Sequence, residues 1–398
     1  MKNLLLATSA AAMMAGAAVA GGHSEEVKIG VILGFTGPLE SITPAMGAGA
    51  ELAMAEVNAA GTLLGGATVT SVRGDSTCID AGAATAAAER LVTSDGVNAI
   101  MGADCSGVTG AILQNVARAN GVVMISPSAT SPGLSTAEDD DLFFRTAPSD
   151  ARQGVIITEI LQDRGVSEVA LTYTNNDYGK GLADAFQAAF EAAGGNVTIS
   201  AAHEDGKADY SAEVGALASA GGEVLVVAGY VDQGGSGIIR SSLDTGAFDT
   251  FYLPDGMVGA VLNDNFGDEL NGSYGAYPGT DNAGAGMFVD LAAEAGFDGT
   301  GAFSPESYDA AALIMLAMQA ADSSDSADFK DHVFDVANAP GVQIMPGQLA
   351  EGLALVAAGF DIDYVGASAV DLIGPGESAG NYQEIEFADG EYSTINYR

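Results

Sequence analysis

Positively charged residues are scarce in this sequence. Its 398 residues contain 13 Lys and Arg against 53 Asp and Glu, which gives a formal net charge of −40 at pH 7. Duplex nucleic acid is bound by basic side chains that neutralise its phosphates, and anionic lipid headgroups attract basic segments. The sequence therefore predicts neither nucleic acid nor an anionic membrane surface as a partner.

Histidine and cysteine are also rare, which limits metal and thiol chemistry. The chain has three His and two Cys. His203 and His332, in the body of the chain, have no neighbours at metal-ligand spacing, so we expect no metal site. Cys78 and Cys105 form an even pair. In an exported chain such a pair is more often a disulfide than a metal or redox site.

The sequence lacks common nucleotide-binding motifs. The first strand–loop–helix unit reads Gly30-x-x-x-Gly34-x-x-Gly37, which is not the G-x-G-x-x-G spacing of dinucleotide sites, and no G-x-x-x-x-G-K-[ST] phosphate loop occurs. The acidic run 138–141 does not have calcium-loop spacing and is typical of a solvated surface. We therefore expect no cofactor and no catalysis, although two carboxylates distant in sequence could still meet as an acid–base pair.

The first twenty residues predict export. Lys2 precedes an apolar run, and Ala18-Val19-Ala20 has the small-x-small pattern of a signal-peptidase site. The run is short, and no charged stop-transfer segment follows it. A cleaved signal peptide over residues 1–20 is therefore favoured over a membrane anchor. The most apolar stretch downstream, 310–321, is too short to span a membrane and predicts a buried helix, so we expect no direct membrane insertion.

Short apolar runs alternate with helix-length segments twice along the chain, which is long enough for two domains and 48% hydrophobic. This alternation is typical of parallel sheets covered by helices on both faces. The predicted fold class is α/β, with two open, doubly wound lobes of similar order. The predicted strands are 27–33, 67–73, 98–101 and 122–125 in the first series, and 168–173, 196–200, 223–228 and 250–253 in the second.

The last third of the chain breaks this pattern. From about 274 it turns to Gly-rich segments, one apolar helix and short strand-like runs. Neither of these parts is expected to fold alone, so the chain should cross back between the lobes. We assign 27–145 plus about 276–355 to the first lobe, and 146–275 plus about 356–398 to the second.

Hydroxyl-rich loops follow two strands of the first series. Ligands of open α/β sheets bind beyond the carboxyl ends of the strands. Ser106 begins a helix there, and Ser128 and Thr130 follow the next strand. Hydroxyls and helix N-terminal amides can together bind a carboxylate without an Arg. Ser106 could instead only cap its own helix, but two such loops on adjacent strands favour a site.

The second series places two tyrosines and a carboxylate at corresponding positions. Tyr178, Tyr230 and Asp255 each follow a different predicted strand. One tyrosine past a strand end could be only a lid on the local core. Three such residues on strand ends of one lobe form a better constellation, which would face the hydroxyl loops across a cleft.

These segments resemble the periplasmic binding proteins of branched-chain amino-acid ABC transporters, the leucine/isoleucine/valine-binding family. The resemblance covers about 27–309, and each motif is short, but they occur in the family's order. The segments that carry it are Ile29-Gly30-Val31, Thr36-Gly37-Pro38, Asp75-Ser76-Thr77-Cys78, Gly102-Ala103-Asp104-Cys105-Ser106, Ser126-Pro127-Ser128-Ala129-Thr130, Asp177-Tyr178-Gly179 and Gly229-Tyr230.

The resemblance implies a type I periplasmic-binding-protein clamp, with two lobes that are joined by three hinge crossings and close on a ligand. It implies a periplasmic, monomeric, non-catalytic receptor that delivers a small amino-acid-type zwitterion, aliphatic or branched-chain, to a membrane permease of an ABC importer. Two alternatives stay open. One is a ligand-sensing receptor or regulator on the same clamp, and the other is a transport receptor for short amides, urea or aromatic acids.

The resemblance also assigns ligand-binding roles by position. The ligand carboxylate would meet the hydroxyl loops, and the two tyrosines would close over it. Asp255 falls where the family has a Glu that pairs with the α-ammonium, so the charge is kept but the reach is one methylene shorter. Glu306 would add a second acidic group, and the two cysteines take the positions of the family's disulfide. The implied ligand-binding residues are Ser106, Ser128, Thr130, Tyr178, Tyr230, Asp255, Ile42 and Phe303.

Overall fold

The computed structural model describes residues 26–398, and the predicted signal peptide 1–20 lies outside the described residues. The first series forms five strands that pair in parallel with their neighbours, as expected for apolar runs buried on both faces. The strands are β1 (Glu26–Leu33), β2 (Thr68–Asp75), β3 (Ala99–Gly102), β4 (Met124–Ser126) and β5 (Phe143–Pro148). The helices between them are α1 (Thr43–Ala60), α2 (Ala81–Arg90), α3 (Ser106–Ile112) and α4 (Arg118–Asn120).

The second series forms a second parallel sheet of the same order. Its strands are β6 (Glu168–Thr174), β7 (Asn196–His203), β8 (Val224–Ala228), β9 (Phe251–Pro254) and β10 (Tyr274–Pro278). Its helices are α5 (Asp150–Asp163), α6 (Asp177–Ala192), α7 (Ser211–Ala220), α8 (Gly234–Thr245) and α9 (Val261–Phe266).

The last third contributes helices and the outer strands of both sheets. Its helices are α10 (Ala283–Ala295), α11 (Ser304–Ala321), α12 (Ser326–Phe329), α13 (Val333–Ala337) and α14 (Leu349–Ala357). Its strands are β11 (Val342–Ile344), β12 (Ile362–Tyr364), β13 (Leu372–Ile373), β14 (Glu377–Ser378), β15 (Tyr382–Ala388) and β16 (Glu391–Tyr397). The first sheet has the order β13-β14-β5-β4-β3-β1-β2, the second has the order β16-β15-β10-β9-β8-β6-β7, and β11 pairs with β12. The predicted α/β class with two doubly wound lobes is confirmed.

The chain passes between the sheets at three places: residue 149, residues 279–282 and residues 379–381. The strands β13 and β14 pair within the first sheet, whereas the sequence-based division placed everything after about 356 in the second lobe. Their runs are only two residues long, so no periodicity marks which sheet they extend. We therefore propose a division in which the second lobe resumes after the third crossing.

Helix α11 lies at the centre of the first lobe and is buried along nearly its whole length, as the apolar stretch 310–321 predicts. It packs closely on α1 at Gly49, which has no side chain. A Cβ atom at this position would stand only 2.6 Å from the carbonyl oxygen of Ser304. None of the helices in the described part of the chain is long and apolar enough to cross a membrane.

Candidate functional site

Both sheets share the strand order that creates a topological switch point. Their cores read β2-β1-β3 and β7-β6-β8, so connections leave β1 and β3, or β6 and β8, in opposite directions and open a crevice at their carboxyl ends. The two crevices face each other across the space between the lobes. The loops that follow these strands enclose a small cavity, which we call the interlobe cavity.

Six of the eight predicted ligand-binding residues line the interlobe cavity. Its volume is about 20 Å³, with about 260 Å³ of space between the wall atoms, so the lobes lie close together around it. Ser106 also lines a larger groove of about 780 Å³ between α3 and α6. The residues that line the cavity are Leu39, Asp104, Cys105, Ser106, Ser128, Tyr178, Tyr230, Asp255, Gly256 and Phe303.

The first-lobe wall is held together by Asp104, a residue that the sequence analysis did not assign to the site. Its Oδ2 accepts from the amide of Gly34 at 2.9 Å, and its Oδ1 accepts from the Ser76 hydroxyl at 2.8 Å. Burial raises the pKa of Asp104, while these bonds lower it. A disulfide joins Cys78 to Cys105 beside it. The ends of β1, β2 and β3 are therefore fixed to one another.

The hydroxyl loops are fixed by bonds between themselves. The Ser128 hydroxyl donates to the carbonyl oxygen of Asp104 at 3.0 Å, and the Ser106 hydroxyl accepts from the amide of Ser131 at 3.0 Å. Cys105, not Ser106, is the N-cap residue of α3, so Ser106 does not serve as the cap of its own helix. Both hydroxyls face a common cavity at the start of a helix, where a carboxylate is favoured.

Thr130 and Ile42 lie outside the lining of the interlobe cavity, and their roles as ligand contacts stay predictions. Thr130 is buried, and its carbonyl oxygen accepts from the amide of Asp150 at the first hinge crossing, at 2.9 Å. Ile42 is the residue before α1, and a side chain at Gly259 of the second lobe would stand 3.2 Å from its Cγ2. Its place in the structure is a contact between the lobes.

The second-lobe wall consists of two stacked tyrosines and a carboxylate. The rings of Tyr178 and Tyr230 lie 5.2 Å apart at an interplanar angle of 16°. The Tyr178 hydroxyl donates to Oδ1 of Asp255 at 2.6 Å, and the amide of Gly256 donates to the same oxygen at 2.7 Å. The Asn176 amide donates to the Tyr230 hydroxyl at 3.4 Å. All three of the predicted side chains are buried.

A second carboxyl group, which the sequence analysis missed, stands next to this wall. Asp150 is fully buried in the first turn of α5, and its pKa is raised well above the usual value by burial and by the charge of Asp255. Burial also raises the pKa of Asp255 to about 6. With its amide oriented to satisfy both neighbours, Gln153 donates to Asp150 and accepts from the amide of Asp255. No Lys or Arg is among the residues that line the cavity, so its charged groups suit a cation.

One short motif of a hydrolase nucleophile also occurs, at residues 376–380, which read Gly-Glu-Ser-Ala-Gly. A nucleophile elbow places its serine on a sharp turn between a strand and a helix. Ser378 instead lies buried within β14, which pairs with β5, and the next element is a strand. The spacing therefore does not build a nucleophile here.

Two α/β lobes that enclose a buried polar cavity at their facing switch points define a solute-binding clamp. A family model described as "Periplasmic binding protein" matches residues 26–345. The chain belongs to this family of non-catalytic solute-binding proteins.

Named relatives point to the same family. The chain is 34% identical over 215 residues to a Leu/Ile/Val-binding protein homolog of Brucella melitensis biotype 1, an alignment that spans 53% of this chain and 56% of that protein. It is 30% identical to the Leu/Ile/Val/Thr-binding protein of Salmonella typhimurium over 63% of this chain and 67% of that protein. It is also 30% identical to a Leu/Ile/Val-binding protein homolog of Brucella abortus over 80% and 84%.

Solved structures show the same fold at lower identity. A leucine-binding protein from Thermotoga maritima superposes with a TM-score of 0.79 at 22% identity, over 93% of this chain and 98% of that chain. A branched-chain amino-acid transporter substrate-binding protein from Streptococcus pneumoniae, in complex with isoleucine, gives 0.77 at 23% identity over 94% and 99%. A solute-binding protein from R. palustris, in complex with benzoate, gives 0.75 at 18% identity over 94% and 96%.

Proposed function

We propose that this protein is the periplasmic substrate-binding receptor of an ABC importer, and that it carries an aliphatic amino acid in the interlobe cavity to a membrane permease. The observation that carries the proposal is the placement of the buried Asp255 carboxyl, from one lobe, across a small cavity from the hydroxyls of Ser106 and Ser128, from the other. The named relatives that bind leucine, isoleucine and valine support the same substrate class.

A zwitterion satisfies both sides of this cavity. Removing an ammonium or a carboxylate from water is costly unless each finds hydrogen-bond partners. Asp255 offers a carboxylate to the ammonium, and Ser106 offers a hydroxyl proton to the ligand carboxylate near the start of α3. Ser128 would have to turn its hydroxyl away from the carbonyl oxygen of Asp104 to do the same. Leu39 and Phe303 supply apolar wall for an aliphatic side chain.

A ligand that contacts both walls of the cavity favours closure of the two lobes. The amide of Asp232 donates to the carbonyl oxygen of Pro38 at 3.1 Å, and Oδ2 of Asp232 accepts from the amide of Ser41 at 2.8 Å, so the lobes are in direct contact beside the cavity. A ligand that contacts both walls binds the closed form better than the open form and stabilises it by that difference. The closed form is then the one presented to the permease, as a monomer.

Aromatic acids are the second candidate, because a benzoate-binding protein shares the fold. A monocarboxylate would leave the buried Asp255 carboxyl without a cation, which favours the amino acid over the aromatic acid.

The test is a thermal melt of the mature protein with leucine, isoleucine, valine, benzoate, urea and acetamide. A ligand at about 100 times its Kd adds roughly 2.7 kcal/mol and raises the melting temperature by several degrees. We expect shifts with the three amino acids. Shifts with benzoate or the amides alone would contradict the proposed substrate class, and a regulator on the same clamp would show ligand binding without any association with a permease.

A further inference from the structure

A second space between the lobes lies beside the second hinge crossing, and we call it the hinge groove. Its volume is about 640 Å³, against about 20 Å³ for the interlobe cavity, and the two share no lining residue. One wall comes from α10 and the start of α11, and the other from the ends of β10, β15 and β16. The residues used below are Tyr277, Asp281, Asp290, Glu306, Tyr392 and Tyr397.

Glu306 is the residue that sets this groove apart. The family resemblance implies that Glu306 is a second acidic group of the ligand pocket, but in the structure it lines the hinge groove and not the interlobe cavity. Its exposure is 2%, and its Oε2 has no hydrogen-bond partner among the described residues. Burial raises its pKa to about 8. A buried polar atom without a partner costs free energy and calls for a cause.

The next carboxyl along α11 shows what a structural acid looks like in this fold. Asp309 accepts from the Tyr364 hydroxyl at 2.8 Å and from the amide of Ala367 at 2.8 Å. The amide and hydroxyl of Ser368 donate to it at 2.7 and 2.6 Å. Asp309 therefore links α11 to the chain after β12. Glu306, one turn earlier and equally buried, has no such set of donors and performs no such link.

The other lining groups favour a positive ligand. Two further acids, Asp281 and Asp290, stand at the exposed rim, and three tyrosines contribute to the wall. No Lys, Arg or His occurs among the residues that line the groove. Carboxylates with aromatic faces recognise organic cations. A metal ion is disfavoured, because among the described residues no three metal-ligating side chains come close together in this groove.

We propose that the hinge groove is a second binding site, for a small organic ammonium ion whose charged group pairs with the Glu306 carboxylate. The cation would favour the ionised carboxylate and supply its missing donor. Because the walls belong to different lobes, the affinity for the cation would depend on the position of the lobes about the hinge, and the two sites would be coupled. This inference does not depend on which solute occupies the interlobe cavity.

The test is calorimetric titration at pH 8 with n-butylammonium, with the uncharged n-butanol as the ligand control. Saturable binding of the amine and none of the alcohol is expected. Glu306→Gln keeps the shape of the side chain and should weaken binding of the amine by about tenfold or more. Glu294→Gln, on an exposed position of α10 outside the groove, is the matched control and should change nothing.

A third variant separates the two sites. Asp255→Asn should leave amine binding unchanged, because Asp255 lies in the other cavity. The proposal is overturned if the wild-type protein shows no saturable binding up to about 10 mM amine. It is also overturned if Glu306→Gln folds with a wild-type melting profile and binds the amine normally, or if Asp255→Asn abolishes the binding. The melt of each variant distinguishes a lost site from a lost fold.

Discussion

Each lobe contributes one buried carboxylate to the interlobe cavity, and the two are held in different ways. In the first lobe, both oxygens of Asp104 receive a bond from their own lobe, from Gly34 and Ser76. In the second lobe, the bonds from Tyr178 and Gly256 both reach Oδ1 of Asp255.

Burial alone therefore does not identify a binding group. Both carboxylate oxygens of Asp104 accept hydrogen bonds that join the ends of three strands, and we expect Asp104 to act on stability. We propose that Oδ2 of Asp255 is the oxygen that meets the ligand cation, and we expect Asp255 to act on affinity. The four predictions below test this division between a structural wall and a binding wall.

The largest expected effect is that of Asp255→Asn on affinity. The variant removes the negative charge that we propose pairs with the ligand ammonium, so leucine binding should weaken by about 2–5 kcal/mol. Calorimetry on both proteins measures this loss. An affinity within about threefold of the wild type would remove Asp255 from its proposed role.

Asp104→Ala should act mainly on folding. It leaves the amide of Gly34 and the hydroxyl of Ser76 without their buried acceptor and should lower the free energy of unfolding by about 2–4 kcal/mol. Urea denaturation in the absence of ligand measures the loss, with Asp255→Asn as the comparison. Equal destabilisation by the two variants would show that the two walls do not differ as described.

The raised pKa of Asp255 gives a pH signature. Its pKa is about 6 in the fold against an ordinary value of 3.8, so between these two pH values the folded state holds a proton that the unfolded chain has lost. This group therefore lowers the free energy of unfolding as pH rises from about 4 to about 6. Asp255→Asn should remove about 1–3 kcal/mol of that fall. Urea denaturation of both proteins at pH 4 and pH 7 measures it, and identical pH dependence would contradict the assignment.

The smallest expected effect is that of Tyr178→Phe. The Tyr178 hydroxyl donates to Asp255 and thereby lowers the pKa of that carboxyl. Without this hydroxyl the pKa of Asp255 rises, and the ionised form becomes less favoured. Leucine affinity near pH 7 should fall by roughly tenfold. Tyr230→Phe is the matched control, since the Tyr230 hydroxyl has no bond to Asp255 in the described structure; it should change affinity less. The reverse order would contradict the role given to Tyr178.

Much of this architecture follows from local sequence. The eight predicted strands all appear, because apolar runs of parallel strands are unambiguous when helices separate them. Ser106, Ser128, Tyr178, Tyr230 and Asp255 could be placed in the cavity because each follows the carboxyl end of a strand at the switch point or next to it.

The parts that sequence analysis missed lie at the hinges. The apolar run of β5 is interrupted by Arg145, whose buried guanidinium pairs with Glu377, more than two hundred positions away, at 2.5 Å. In the sequence Asp150 is an ordinary acidic residue in the first turn of a helix. Only the folded structure shows that it lies next to Asp255. Glu306 follows Phe303 by less than one helical turn, yet the two side chains line different spaces. Such pairings depend on tertiary contacts that no local pattern encodes.

The most direct test of the central claim compares leucine with 4-methylpentanoate, which has the same carbon skeleton and carboxylate but no ammonium group, on the wild-type protein and on Asp255→Asn. We expect the wild type to prefer leucine by about 100-fold or more, and Asp255→Asn to lose most of this preference while it binds 4-methylpentanoate as well as the wild type does or better. An unchanged preference for leucine in Asp255→Asn would contradict the pairing of Asp255 with the ammonium group.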